Sequence, residues 1–172
     1  MPTISKNIKH RRSYRSYSDK PIEQEKIEAV LEAAMYAPSA HHKRGWEFVL
    51  VTDQDKIDQL AKTTRWSDHV GQAQAVIVVC SPEWENWLED ASIVSAHIYL
   101  EATNQGLGTC WTQVRKGARL DGQDAEEYVR QVLSIPEKMR VLSLMPLGYP
   151  AQDKSAHDSS DYEAEKVHQD QW

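Results

Sequence analysis

The chain has 172 residues, 40% of them hydrophobic and 27% charged, with a formal net charge of −6. That length supports one core-bearing domain, and the acidic balance argues against the basic face of a nucleic-acid binder. No apolar run approaches the roughly 20 residues of a membrane span, and no n-region and h-region open the chain as they do in a secretory signal.

The positive charge is concentrated at the front. Residues 1–18 carry Lys6, Lys9, Arg11, Arg12 and Arg15, and the first carboxylate is Asp19. Such a cluster suits a targeting peptide, a nucleic-acid arm or a pocket for one small anion. Ser5 is placed to cap a short first helix ending near the arginines. After Pro21, Ile27, Val30, Leu31, Ala34 and Met35 recur at helical spacing and predict one buried stripe, with acids in the first turn and Pro38 as the stop. Residues 46–52 read as a strand. Residues 53–62 read as a helix with an Asp or Thr cap.

Residues 73–81 form a near-continuous apolar run, the pattern of a strand covered on both faces. The helix that follows closes at Gly106, in the position after a C-cap. Ala91, Ile93, Val94, Ala96, Ile98, Leu100 and Ala102 surround much of it, which places it at the centre or in an interface between subunits. Residues 108–114 predict a strand, 122–135 a helix ended by Pro136, and 139–148 a last strand. The tail from Tyr149 is polar but keeps Tyr162, Val167 and Trp172. The whole is α/β or α+β, with about five strands and about six helices.

Three segments carry chemistry. In "HRRSYR", guanidinium forks and a hydroxyl fit phosphate oxygens. Arg11, Ser13 and Arg15 alternate, so an extended chain puts them on one side and Arg12 on the other. A solvated basic turn is the plainer alternative. In "APSAHHKRGWEF", residues 37–48, a Pro-Ser turn followed by a small residue suits close approach to a flat group, and a simple helix-to-strand loop fits as well. Adjacent His41 and His42 point apart on an extended chain and lack a third ligand, so no metal is expected. In "NQGLGTCWTQV", residues 104–114, Gly-x-Gly lacks the third glycine of a dinucleotide fingerprint and opens a strand rather than a helix. Its glycines let backbone amides approach a ligand. There is no Walker lysine motif and no nucleophile elbow. Cys80 and Cys110 have no Cys-x-x-Cys spacing and read as buried thiols in a reducing cytoplasm.

These segments, in this order, resemble the nitroreductase family of FMN-dependent oxidoreductases nearly end to end. "RRSYRSYSDKPI" is similar to its Arg-Arg-Ser-x-Arg opening and "APSAHHKRGWEFVLV" to its Ala-Pro-Ser-x-x-Asn-x-Gln-Pro-Trp-x-Phe motif. "GLGTCWTQV" resembles its glycine-rich strand, and "LGYPAQ" with the tail resembles its C-terminal arm. The resemblance implies an α+β sandwich with a mostly antiparallel sheet flanked by helices. It also implies a cytoplasmic homodimer with FMN at the interface and NAD(P)H as co-substrate. Residues 1–150 would form the FMN-binding domain, and residues 151–172 an arm packing on the partner subunit. The chemistry implied is ping-pong reduction of nitroaromatics, quinones or related electron-poor acceptors; a sibling activity or a non-catalytic flavin-binding role is the alternative.

By that resemblance, Arg11, Arg12 and Ser13 would hold the phosphate and ribityl end, and Arg15 the ring edge where negative charge grows. Pro38, Ser39, Ala40 and His42 would come from the other subunit. Trp111, Thr112 and Gln113 would line another ring edge, and Lys154 and His157 would serve the phosphate. The flavin itself carries the reaction, so no side chain is expected to be catalytic. His42 stands where the family has Asn, Arg44 and Gly45 stand for Gln-Pro, and Lys154 and His157 occupy the region of a late Arg.

Overall fold

The computed structural model describes residues 4–172. Its strands are β1 (Glu47–Val51), β2 (Ala75–Pro82), β3 (Gly108–Thr109), β4 (Thr112–Gln113) and β5 (Met139–Gly148). They form one sheet in the order β1-β2-β5-β3, with β4 also on β5, and every pair is antiparallel. The helices are α1 (Ile4–His10), α2 (Gln24–Met35), α3 (Gln54–Leu60), α4 (Trp87–Asn104) and α5 (Ala125–Leu133).

β2 and β5 are central and buried along nearly their whole length. Their alternate residues feed two cores, because successive side chains leave a strand on opposite faces. Val76, Val78 and Cys80 join Ile57 and Leu60 of α3 and Ala125 and Val129 of α5. Ala75, Ile77 and Val79 join Ile27 and Val30 of α2 and Val94 and Ile98 of α4. The fold is therefore an α+β sandwich of helices, antiparallel sheet and helices. A bulge lies in β5: Val79 faces Ser143 while Cys80 faces Val141, leaving Leu142 as the extra residue. The inserted residue switches the alternation, so Val141 and Leu144 share one core while Leu142 and Met145 share the other.

Local chemistry sets the element ends. Asp53 caps α3 by accepting from the Lys56 amide at 3.0 Å, and Asp124 caps α5 by accepting from the Glu127 amide at 2.9 Å. Gly106 follows the α4 C-cap with φ +74°, a conformation glycine adopts without a Cβ penalty.

Three sequence expectations need correction, and one is narrowed. Ser5 lies inside α1 rather than at its cap. The stripe of α2 is narrower than predicted: Leu31 is half-buried and Met35 exposed. For α4, placed by its sequence at the centre or in an interface, Val94 and Ile98 are buried while the face bearing Ile93, Ala96 and Leu100 is not buried within the chain, which leaves the interface alternative open. The strand predicted over 108–114 breaks at Cys110 and Trp111. Its register against β5 is the same on both sides of the break, and Pro146, which has no N–H to offer the ladder, stands opposite Cys110 in that register.

The basic entry segment runs beside β3. Ser13 bridges Thr109 in parallel, the Tyr14 amide donates to the Thr109 carbonyl at 3.0 Å, and Tyr17 bridges Pro150. Gly108 and Gly148 are cross-strand partners, and the side chains of Tyr14 and Tyr17 lie against them. This bare patch of backbone is what lets the segment lie flat on the sheet.

Candidate cofactor site

Tyr99, on the half-buried flank of α4, organises one end of the site. Its hydroxyl lies 3.2 Å from Ser13 Oγ and accepts from the Trp111 amide at 2.5 Å. The Arg11 guanidinium stands 5.3 Å from its ring centroid. Lys154 Nζ donates to the Ser13 carbonyl at 2.8 Å, and Arg12 donates to the Ser155 carbonyl. Arg11 and Ser13 are thus gathered around Tyr99, with Lys154 tied to the Ser13 backbone and Arg12 to the backbone of the next residue, Ser155.

Arg15 lies farther along the same extended segment and lines a cleft of about 670 Å³ with Thr64, Arg65, Trp66, His69 and residues 111–113. Residues 117–120 form the outer wall. They are tied across by Arg119, which donates to the Lys62 carbonyl at 3.1 Å, pairs with Asp121 and stacks 3.9 Å from the Tyr128 centroid. Trp111 Nε1 donates to Gln113 Oε1 at 2.7 Å, which fixes the indole beside the cleft. His69 Nε2 is 3.0 Å from Thr112 Oγ1, and Nδ1 is 3.1 Å from the Trp66 carbonyl. Burial and the positive charge of Arg15 hold His69 below the ordinary imidazole value, against smaller opposing effects from the Trp66 carbonyl and Asp68.

This donor set fits an anionic, planar cofactor. Among the described residues, neither Arg11 nor Arg15 spends its guanidinium on a protein hydrogen bond, so both remain available to a ligand. Four extended steps separate them, roughly 13 Å. A cluster of donors therefore stands at one end, and a cation without a protein hydrogen bond stands beside an aromatic cleft at the other.

The other expected site residues lie elsewhere. Pro38, Ser39, Ala40 and His42 follow α2, where the Ala40 amide donates to Asp90 Oδ1 at 2.9 Å near the start of α4. Tyr99 lies nine residues along that helix, roughly 14 Å away along its axis. One chain does not bring this loop to the arginines. The loop is strained: His41, His42 and Arg44 have φ of 52°, 54° and 47°. It is held by Ser39 Oγ, which accepts from the Arg44 amide at 2.9 Å, and by Arg44 Nη2 donating to the Met35 carbonyl at 2.7 Å. His157 is turned to Asp161 at 2.8 Å rather than toward Ser13. Tyr99, His69, Arg65 and Trp66 were not singled out by motif. Tyr99 is hidden in an apolar helix, where only its polar tip distinguishes it from core.

Both thiols are free and buried. Burial pushes Cys80 up to about 12, which makes it inert as a nucleophile at neutral pH. Cys110 donates weakly to the Trp111 carbonyl at 3.7 Å.

The cleft beside Arg15 and the donors around Ser13 suit the cofactor of a flavin-dependent oxidoreductase. The chain belongs to the nitroreductase family, whose model matches residues 8–82 and 60–149. A relative from Archaeoglobus fulgidus, whose name couples NADH dehydrogenase with NAD(P)H nitroreductase, is 32% identical over 179 residues and covers all of both chains. The FMN reductase [NAD(P)H] of Bacillus subtilis is 29% identical over 184 residues, covering 91% of this chain and 69% of that one. The solved structure of an FMN-dependent nitroreductase from Clostridium difficile R20291 superposes with a TM-score of 0.94 at 36% identity, over 96% of this chain and 98% of that one. The protein is thus an FMN-dependent oxidoreductase enzyme.

Proposed function

We propose that the protein is a cytoplasmic homodimer that uses NAD(P)H to reduce nitroaromatics, quinones or related electron-poor acceptors. The observation that carries this is the pair of uncommitted guanidiniums, Arg11 and Arg15, at the two ends of one extended segment that docks on β3. Bound FMN supplies electron transfer between nicotinamide and acceptor. The chain supplies binding, orientation and charge.

Arg11, Ser13 and Lys154 hold the phosphate, and Tyr99 keeps Ser13 and the Trp111 amide in register. Arg15 puts a fixed cation where negative charge grows on reduction, a stabilisation that costs no reorganisation. Trp111, Thr112 and Gln113 line the cleft beside it. Residues 38–42 of a second copy complete the site, because within one chain they are anchored at Asp90, roughly 14 Å along α4 from Tyr99. Support for a dimer comes from the uncovered face of α4, with Ile93 39% exposed, and from a groove of about 620 Å³ lined by Leu31, Met35, Trp46, Phe48 and Leu50 together with Arg44 and Glu47. Residues 151–172 serve as the arm on the partner: Tyr162, Val167 and Trp172 are exposed at 69%, 62% and 100%.

The test is a spectrum and a turnover assay. The purified protein should show the absorbance of oxidised flavin, or take up FMN on soaking. It should bleach anaerobically with NADH or NADPH and recover on adding a nitroaromatic or a quinone. A protein that takes up no FMN would refute the proposal. Bleaching that only a halogenated aromatic reverses would replace the acceptor class with the sibling chemistry.

A further inference from the structure

The contact between His69 and Thr112 forms the inner wall of the cleft beside Arg15, and the function proposed above makes no use of it. Its hydrogen-bond directions can be assigned. The Trp66 carbonyl only accepts, so His69 Nδ1 carries a proton. A neutral imidazole then has an unprotonated Nε2, which accepts from the Thr112 hydroxyl at 3.0 Å. The same hydroxyl has a second acceptor, the Cys110 carbonyl at 3.4 Å. It can therefore rotate from one to the other without breaking the fold, and Thr112 itself is 4% exposed and held in β4.

We infer that His69 is a redox-linked proton acceptor: it takes up a proton when negative charge enters the cleft beside Arg15, and its hydrogen bond with Thr112 reverses. In the resting protein burial disfavours the charged ring and Arg15 adds its repulsion, so the neutral form is favoured. A negative charge next to Arg15 offsets that repulsion and favours the imidazolium. One proton comes from solvent to Nε2, and no electrons move to or from His69. The two electrons come from NAD(P)H. The new Nε2–H donates to Thr112 Oγ1, and the threonine hydrogen turns to the Cys110 carbonyl. The side chain thereby holds, at the cleft wall, the proton that compensates the charge of reduction.

Few other charges bear on the ring. Arg15 comes from the entry segment, and Asp68 precedes His69 in its own turn. Arg65 and Arg119 line the same cleft. From α3 the nearby Asp58 accepts from Gln54 Nε2 at 2.8 Å. β4 contributes the neutral Thr112 and Gln113. Burial and Arg15 therefore outweigh the Trp66 carbonyl and Asp68 at rest, and negative charge added beside Arg15 shifts the ring toward the imidazolium.

The inference rests on FMN binding in this cleft, and the test separates the two. Protein with ¹⁵N-labelled histidine, loaded with FMN, is titrated by NMR in the oxidised state and after dithionite reduction. His69 should be neutral and Nδ1-protonated when oxidised at pH 7, and cationic when reduced. The midpoint potential should steepen by about 30 mV per pH unit across the window between the two titrations, one extra proton per two electrons. His69→Gln should lose that extra slope while still binding FMN. Thr112→Val should shrink it and Thr112→Ser restore it. Identical His69 titrations in the two states, or equal slopes in wild type and His69→Gln, would overturn the inference while leaving the proposed function intact. A protein that binds no FMN overturns both. If His69→Gln does not fold, the wild-type titration alone decides.

Discussion

Tyr17 lies across Gly148 so closely that a Cβ added to the glycine would fall 2.8 Å from the tyrosine Cβ. The neighbouring pair repeats the arrangement, with a Cβ on Gly108 meeting Tyr14 Cβ at 2.8 Å. The two glycines face each other across β3 and β5, so both tyrosines lie on one flat patch. Tyr17 also donates from its hydroxyl to the Tyr14 carbonyl at 2.7 Å, which locks the segment between them. Arg15 sits within this locked stretch. Gly148→Ala should therefore do more than strain the sheet. It should cost about 1–3 kcal/mol by overpacking, read as a lower denaturant midpoint, and it should weaken FMN binding because Arg15 moves with Tyr17. Unchanged FMN affinity in a destabilised variant would show that the segment re-seats independently of the tyrosines.

The two ends of the site should separate in solution. Ser13→Ala removes a hydroxyl that faces both Tyr99 and the ligand end, and should weaken FMN binding about five- to tenfold, the equivalent of about 1 kcal/mol. Arg11→Ala should act the same way. Arg15→Ala should retain most of the FMN but lower its midpoint potential, because the lost cation favoured the reduced, more negative form. Equilibrium dialysis and a redox titration distinguish these outcomes. Equal effects on affinity and potential from all three changes would dissolve the division of labour.

The elements that the sequence predicted well are those whose signal is local. β5 has the predicted bounds, 139–148, because a long apolar run between Pro136 and Gly148 has one solution. Gly106 and Asp53 act in the capping roles read for them, since a cap depends on residues within a turn of itself. What escaped the sequence depended on partners far along the chain. The break at Cys110 and Trp111 is set by Pro146 on another strand. Tyr99 belongs to the site only because α4 passes β3 and the entry segment at once. Ile93, Ala96 and Leu100 were legible as apolar but not as a separate face, which emerges only when the sheet claims Val94 and Ile98. The grouping of Arg11 with Ser13 was legible because their types and alternation suit an anion, while Lys154 was reached only through the family resemblance. His69 was not legible, because one histidine in a polar turn carries no pattern.

That uncovered face gives a direct test of assembly. Ile93 is 39% exposed on α4, and Met35 is 46% exposed on the adjacent α2. Ile93→Glu puts a charge where a partner would bury a methyl group, while costing little in the isolated fold because the site is already open to water. Light scattering should show a shift from dimer to monomer. FMN should be lost in proportion, since residues 38–42 of the second copy would no longer close the site. A variant that stays dimeric and flavin-loaded would move the interface to another surface.

Glu126 offers the clearest pH dependence. Its side chain is 6% exposed and accepts from Arg140 Nε at 2.8 Å, Arg140 Nη2 at 2.9 Å and the Val141 amide at 2.8 Å. Burial alone would raise the carboxyl, but the Arg140 hydrogen bonds and the Val141 amide outweigh it and hold the group below the usual carboxylate range. A lowered folded value means that the unfolded chain binds the proton more readily. The stabilisation is therefore full above the unfolded value of about 4.3, and it is lost as pH falls through the depressed folded value. Glu126→Gln keeps the shape but not the charge, and leaves Arg140 with only the exposed Glu83 at 2.6 Å. It should destabilise the protein by about 1–3 kcal/mol at pH 7, the range for losing charge-assisted hydrogen bonds in a pair whose Arg140 end is 26% exposed. The deficit should shrink steadily below about pH 4, where wild type also loses the charge. Urea melts of both proteins from pH 7 to pH 3 measure this. Parallel curves with a constant gap would assign the role of Glu126 to packing rather than to its charge.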